Sequence, residues 1–319
     1  MSTEKIGPMR TAYLKSMKIR GMDGPIDLYL YRPLGFLVAW PLSRTGMSPN
    51  AVTLLSALFG LAAGCAALPG TASGFLLCAI LFQASNCFDC ADGQLARMTG
   101  KYSRDGRLLD GFADYSVNVF VLAGVLVGLL RERRDPVITL FLVLAGGGAT
   151  ALSCLYYDRA ITRFADFCRG KDGDEAKELG LALEKSASVR GFPGLLWRLY
   201  ALYLRAQKEN GAGRAARPAP EAMTEAARRG YLRAMYPLLG AWSFTGPSAH
   251  VLYFLVFAAA GRMEMYLVAS VALAIATALF LNAQQAVDLK FGPTAAATRE
   301  GPALETRKRP KYNVSDSEE

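Results

Sequence analysis

The chain has 319 residues, of which 52% are apolar and only 20% charged. From Thr45 to Phe88 it carries no Asp, Glu, Lys or Arg at all, a run that suits two membrane spans joined by a turn rather than a soluble core helix. A disordered chain, a disulfide scaffold and a soluble nucleic-acid binder are thereby excluded, and the formal net charge of +9 has to be explained by its placement.

The first twenty residues are polar and basic and contain no apolar stretch of the kind a cleavable signal requires. Ile26 to Leu42 is apolar but interrupted by Asp27, Arg32, Pro33 and Pro41. It reads as an interfacial helix, with Tyr29, Tyr31 and Trp40 at headgroup level. An ordinary loop before the first span is the competing reading. Ser48-Pro49-Asn50 then opens a series of stretches long and apolar enough to cross a bilayer. They run from about Asn50 to Leu68, Gly74 to Arg97, Gly106 to Leu130, Pro136 to Tyr157, within Ala234 to Gly261, and from about Met265 to Val287. Pro69-Gly70 turns the chain after the first, and Pro237 and Pro247 blur the fifth. The expected fold is all-α: a polytopic membrane protein of six transmembrane helices preceded by an interfacial helix.

This divides the chain into an N-terminal segment (1–49), spans one to four (50–157), a hydrophilic insertion (158–233), spans five and six (234–287) and a disordered tail (288–319). Within the insertion, Leu195 to Gln207 is amphipathic and suits the membrane surface or a partner subunit. Gly211 to Pro220 suits a flexible linker. With six spans, 32 of the 36 Lys and Arg residues fall on one face and four (Arg131, Arg133, Arg134 and Arg262) on the other. The positive-inside bias puts the 32, and both termini, in the cytoplasm. The cluster Arg131 to Arg134 is a local exception, partly offset by Glu132 and Asp135.

Ionisable residues inside spans are costly and mark function. Here they gather in one place. The second span ends Asp89-Cys-Ala-Asp92-Gly93-Gln-Leu-Ala96-Arg97, and the third begins Gly106-Arg-Leu-Leu-Asp110-Gly-Phe-Ala-Asp114. At 3.6 residues per turn each set occupies one helix face. The short connection between Arg97 and Gly106 brings the two faces together, so four carboxylates converge at the cytoplasmic end of the bundle. Capping or solvation at helix ends would explain one or two acids, not four on two facing stripes. Four carboxylates in a small volume require cations, and an all-oxygen donor set points to Mg²⁺ or Mn²⁺. Two such ions form the clamp used for phosphoryl displacement. Gly93 and Ala96 leave the same face open to a flat ligand.

The pattern Asp89-x2-Asp92-Gly93-x2-Ala96-Arg97-x8-Gly106-x3-Asp110-x3-Asp114 resembles the full signature of the CDP-alcohol phosphotransferases. Ser48-Pro49-Asn50-x2-Thr53 resembles the family's approach to its first helix, while the 158–233 insertion departs from compact members. The resemblance implies cleavage of a CDP-linked donor at its diphosphate, transfer of the distal phosphoryl unit to an alcohol and release of CMP. It implies a homodimer in the cytoplasmic (inner) membrane. Asp89, Asp92 and Asp110 would bridge two ions. Asp114 would reach the second ion and act as base toward the acceptor hydroxyl, and Gly93 and Ala96 would make room for the cytidine. Arg97 would contact phosphate or pair with an acid. Asn50 and Thr53 would bond the diphosphate, or serve as helix cap and packing residue. CDP-diacylglycerol with a water-soluble acceptor is the preferred pairing; a CDP-aminoalcohol with diacylglycerol is the alternative.

Other residues carry weaker signals. Arg159 and Arg163, one turn apart, suit an anionic acceptor, a lipid phosphate or simple anchoring. The six cysteines read as reduced packing residues, Cys87 and Cys90 lacking the partners a zinc or redox site would need. His250, the one histidine, reads as a polar packing residue. An aspartate-rich membrane prenyltransferase and a cation carrier are the readings of other classes. The first leaves Gly93, Ala96 and Arg97 unexplained, and the second would place its acids near the bilayer midplane.

Overall fold

The computed structural model describes residues 8–18, 21–101, 104–132, 135–170, 175–207 and 219–291. The linker read at Gly211 to Pro220 lies, up to residue 218, outside them, as does the tail beyond Phe291. Among the described residues every regular element is helical. α1 (Pro8–Ser16) leads through a π turn (Asp27–Tyr31) into α2 (Arg32–Thr45). α3 (Pro49–Ala67), α4 (Ala72–Thr99), α5 (Arg104–Arg131) and α6 (Pro136–Arg169) follow. α7 (Glu175–Ser188) and α8 (Gly191–Gln207) form a hairpin, and α9 (Glu225–Trp242), α10 (Pro247–Ala259) and α11 (Met263–Phe291) complete the chain.

Local chemistry sets these boundaries. Ser48 accepts from the Ala51 amide and Pro49 takes the first position of α3. Thr71 caps α4 through Gly74, and Asp135 caps α6 through Val137 and Ile138. Each satisfies amide donors that a helix start leaves without partners. α4 ends at Gly100, whose φ of 70° is open to glycine at little cost.

α3 lies between α4 and α5 and packs along both, while α4 and α5 touch each other at few points. The two acid-bearing helices are thus splayed around α3 rather than zipped into a hairpin. Close approach of backbones makes this possible. A Cβ on Gly124 of α5 would stand 2.2 Å from the carbonyl oxygen of Gly64 on α3. Small residues at such crossings are what membrane helices use to pack. Phe75, Phe82, Val121, Val125, Phe254 and Leu267 fill the core on the far side of α4 and α5, where α10 and α11 close the bundle. A second core joins the C-terminal half of α6 to α9 and the end of α11, through Phe164, Tyr231, Met235 and Trp242. The α7–α8 hairpin has a small core of its own around Trp197 and leans on α5 through α8.

Among the described residues, five helices are long and apolar enough to cross a membrane: α3, α4, α5 from Leu109, α6 and α11. The fifth expected span is not one helix. A 3₁₀ turn at Ser243–Thr245 and an extended Gly246 separate α9 from α10. The cause is Pro247, which offers no amide and drives its predecessor out of helical geometry. At thirteen residues, α10 is about 20 Å long, short of the roughly 30 Å hydrocarbon layer. Its C-terminus nevertheless reaches the bundle end formed by Ala72, Leu129 and Met263, opposite the acids. Tyr31 is also placed differently from expectation. The π turn rotates it inward, where it is 1% exposed and donates to Gln83 at 2.7 Å. Tyr29 stays 80% exposed, and Trp40 is half-buried with Arg44 stacked 3.7 Å from its ring centre.

Candidate active site

Three helix ends build the site: the first turns of α3, the last turns of α4 and the first turns of α5. Helical spacing alone aligns Asp89 with Asp92, and Asp110 with Asp114; packing on α3 brings the two pairs together. One carboxylate oxygen from each of Asp89, Asp92 and Asp110 lies within 4.8 Å of the others. Asp92 is buried and the other two are half-buried. Asp114, one turn beyond Asp110, stands outside that three-oxygen group, and its carboxyl remains in hydrogen-bonding reach of Asp89. On the next turn Asn118 donates to the Asp114 carbonyl at 2.8 Å.

Thr53 lies against the acid cluster. Its hydroxyl reaches Asp92 Oδ2 at 2.5 Å and Pro49 O at 3.2 Å. The helix cap is Ser48, and Asn50 is exposed on the first turn of α3. Gly93 lies on the acid face with the Arg97 guanidinium folded over it: a Cβ there would meet the nearer terminal nitrogen at 3.3 Å. Arg97 Nε donates to the Ser16 carbonyl at 2.5 Å. Ala96 and Gly106 are half-buried on α4 and α5.

The donor set suits hard divalent ions. Every ligand atom is an oxygen, and Asp110 Oδ1 is buried with no hydrogen-bond partner among the described residues. Such an atom costs free energy unless a cation or water meets it. Ionised carboxylates at this spacing repel strongly in a poorly solvated site, which cation binding relieves.

Three residues escaped the spacing argument. Gln94 Nε2 donates to Ser16 Oγ at 3.2 Å and to the Arg32 carbonyl at 3.1 Å. Ser16, fully buried, receives Gln94 and Arg97 together. Lys18, two residues on, has its charge within Coulombic reach of Asp89 and Asp110. No local pattern flags a contact between residues about eighty positions apart. The remaining candidates lie elsewhere in the fold. Arg163 pairs with Asp288 at 3.3 Å, and Arg159 sits over Tyr156, 5.8 Å from its ring centre. His250 is buried beside Tyr253 and Tyr266, and the Cys87 and Cys90 thiols are free.

Helices of membrane-crossing length around a carboxylate cluster at the α3–α4–α5 junction point to an integral membrane protein. Residues 46–164 match the CDP-alcohol phosphatidyltransferase family. That segment contains α3, α4, α5 and most of α6, with all four acids. The matched segment is similar to that family's domain, and the protein is an enzyme, a phosphotransferase. The chain is also 29% identical over 167 residues to a CDP-diacylglycerol–glycerol-3-phosphate 3-phosphatidyltransferase of Treponema pallidum (strain Nichols). The match covers 50% of this chain and 70% of that relative.

Proposed function

We propose that the enzyme transfers a phosphatidyl group from CDP-diacylglycerol to the hydroxyl of a small, water-soluble alcohol and releases CMP. The observation that carries this reading is the division of the four acids. Three offer oxygens within 4.8 Å of one another, and the fourth stands apart from them yet in reach of Asp89. Asp89, Asp92 and Asp110 would hold two Mg²⁺ or Mn²⁺ ions, and Thr53 fixes the Asp92 carboxylate by its hydrogen bond. When bound, the ions supply charge neutralisation for the diphosphate and for the departing phosphate. Asp114 accepts the proton of the acceptor hydroxyl. That oxygen then bonds to the lipid-side phosphorus as the bond from phosphorus to the CMP oxygen breaks. Gly93, with Ala96 one turn on, leaves room for the cytidine once Arg97 swings off the helix toward phosphate.

The donor assignment is supported by the relative's name, which also makes glycerol 3-phosphate the first acceptor to try. The bundle is read with six crossings, the broken pair α9–α10 making the fifth. Its support is the end of α10 at the face opposite the acids. The excess of basic residues on the acid side supports an active site facing the cytoplasm. The test is CMP release by purified protein with CDP-diacylglycerol or a CDP-aminoalcohol, each against a panel of acceptors. Turnover with CDP-diacylglycerol and a soluble alcohol is expected, and turnover only with the aminoalcohol donor and diacylglycerol would overturn the donor assignment.

A further inference from the structure

The α7–α8 hairpin lies outside the segment that bears the acids, and one face of α8 is left without a protein neighbour. Trp197 and Ala201 turn inward and pack on Ala182 of α7. Leu195, Leu199 and Leu202, spaced four and three residues apart, share the opposite face. They are 48%, 44% and 63% exposed. Arg198 and Arg205, seven residues apart and both exposed, run beside this leucine stripe. Among the described side chains of the hairpin, the exposed charges are Lys185, Arg190, Arg198 and Arg205 against Glu184 alone.

The fold sets the level at which this face is presented. α6 starts a few residues after α5 ends and runs 34 residues, about 50 Å. That exceeds the roughly 30 Å hydrocarbon layer, so its C-terminal turns emerge on the acid side of the bundle. α7 follows at Glu175, and α8 comes back to rest against α5, whose membrane-crossing part begins at Leu109. The leucine stripe is thus held beside a spanning helix, at the end where that helix leaves the bilayer. We propose that α8 lies in the acid-side surface of the protein's own membrane. Leu195, Leu199 and Leu202 enter the boundary between headgroups and acyl chains, and Arg198 and Arg205 bind the phosphates of anionic lipids. Leucines on one side with arginines at their edge are the pattern of an interfacial helix, whose long cationic side chains reach back to the headgroups. A water-exposed leucine row would have no such reason to sit beside a membrane span. An acidic protein surface would match the charge, but only lipid is already present at this level of α5.

The experiment uses the full-length protein in nanodiscs with bromine on the lipid acyl chains. Leu199→Trp carries the probe, Leu202→Trp repeats the reading one turn on, and wild type gives the background of the three native tryptophans. The fraction of phosphatidylglycerol in phosphatidylcholine is varied. Bromine is expected to quench the added tryptophan beyond that background, and the quenching to rise with phosphatidylglycerol. Adding Arg198→Gln or Arg205→Gln to Leu199→Trp is expected to lower the ratio of docked to undocked helix by roughly fivefold for each arginine in anionic bilayers. Quenching that ignores phosphatidylglycerol and both arginine substitutions would overturn the anionic-lipid contact. Emission typical of water with no added quenching, in both tryptophan variants, would overturn membrane docking. Blue-shifted emission with no added quenching would overturn it too, and would assign the stripe to a protein face.

Discussion

Thr53 shows how a single hydroxyl ties one helix to the chemistry of another. It reaches Asp92 Oδ2 across 39 positions of sequence and fixes the carboxylate's orientation. Groups that hold a metal ligand in place typically change affinity by about 10–100-fold when removed. Thr53→Val, which keeps the shape and loses the donor, is therefore expected to weaken Mn²⁺ binding by that order while the protein still folds. Unaltered Mn²⁺ affinity would make Thr53 a packing residue only. The sequence offered a diphosphate contact or a packing role for Thr53 and not this bond, because Ser48-Pro49-Asn50-x2-Thr53 says where α3 begins but not which hydroxyl meets an acid on α4. The four acids were legible for the opposite reason: their alignment depends only on the helical repeat within α4 and within α5. Ser16 and Gln94 were not legible, since their contacts come from docking α1 and α2 onto α4.

The splay of α4 and α5 about α3 positions the site at the level of elements. It rests on backbone contact at the Gly64–Gly124 crossing, where any side chain collides with a carbonyl. Gly124→Val is expected to force α3 from α5, at a cost of roughly 1–3 kcal/mol for overpacking. The Asp92–Asp110 approach would suffer with it. Thermal unfolding in detergent and Mn²⁺ titration should both register the change. Wild-type stability and metal affinity would show that α3 does not set the acid spacing. The apolar stretches forecast that α3, α4 and α5 are spans, but not that α3 would separate the other two. Such an arrangement follows from which faces carry Gly and Val, a matter of pairing rather than of composition. The same limit explains the fifth span: the uncharged run from Ala234 was visible, but the break at Gly246 needed the effect of Pro247 on its neighbour.

The acids lie at one end of α4 and α5, and the ends of α10 and α11 meet at the other. If the acid side is cytoplasmic, reporter fusions at Thr3, Lys208 and the tail all read as cytoplasmic, and a periplasmic signal at Lys208 would contradict the six-crossing arrangement. The central claim is that Asp89, Asp92 and Asp110 hold the ions while Asp114 moves the proton. It is tested most directly by measuring donor binding and single-turnover rate side by side in Asp114→Asn and Asp110→Asn. Loss of a general base costs roughly 10²–10⁴ in rate without removing the ions. Asp114→Asn is therefore expected to keep most of its Mn²⁺-dependent affinity for CDP-diacylglycerol and lose turnover by that factor, whereas Asp110→Asn loses both together. Near wild-type turnover in Asp114→Asn, or donor binding as weak as in Asp110→Asn, would contradict the division of roles.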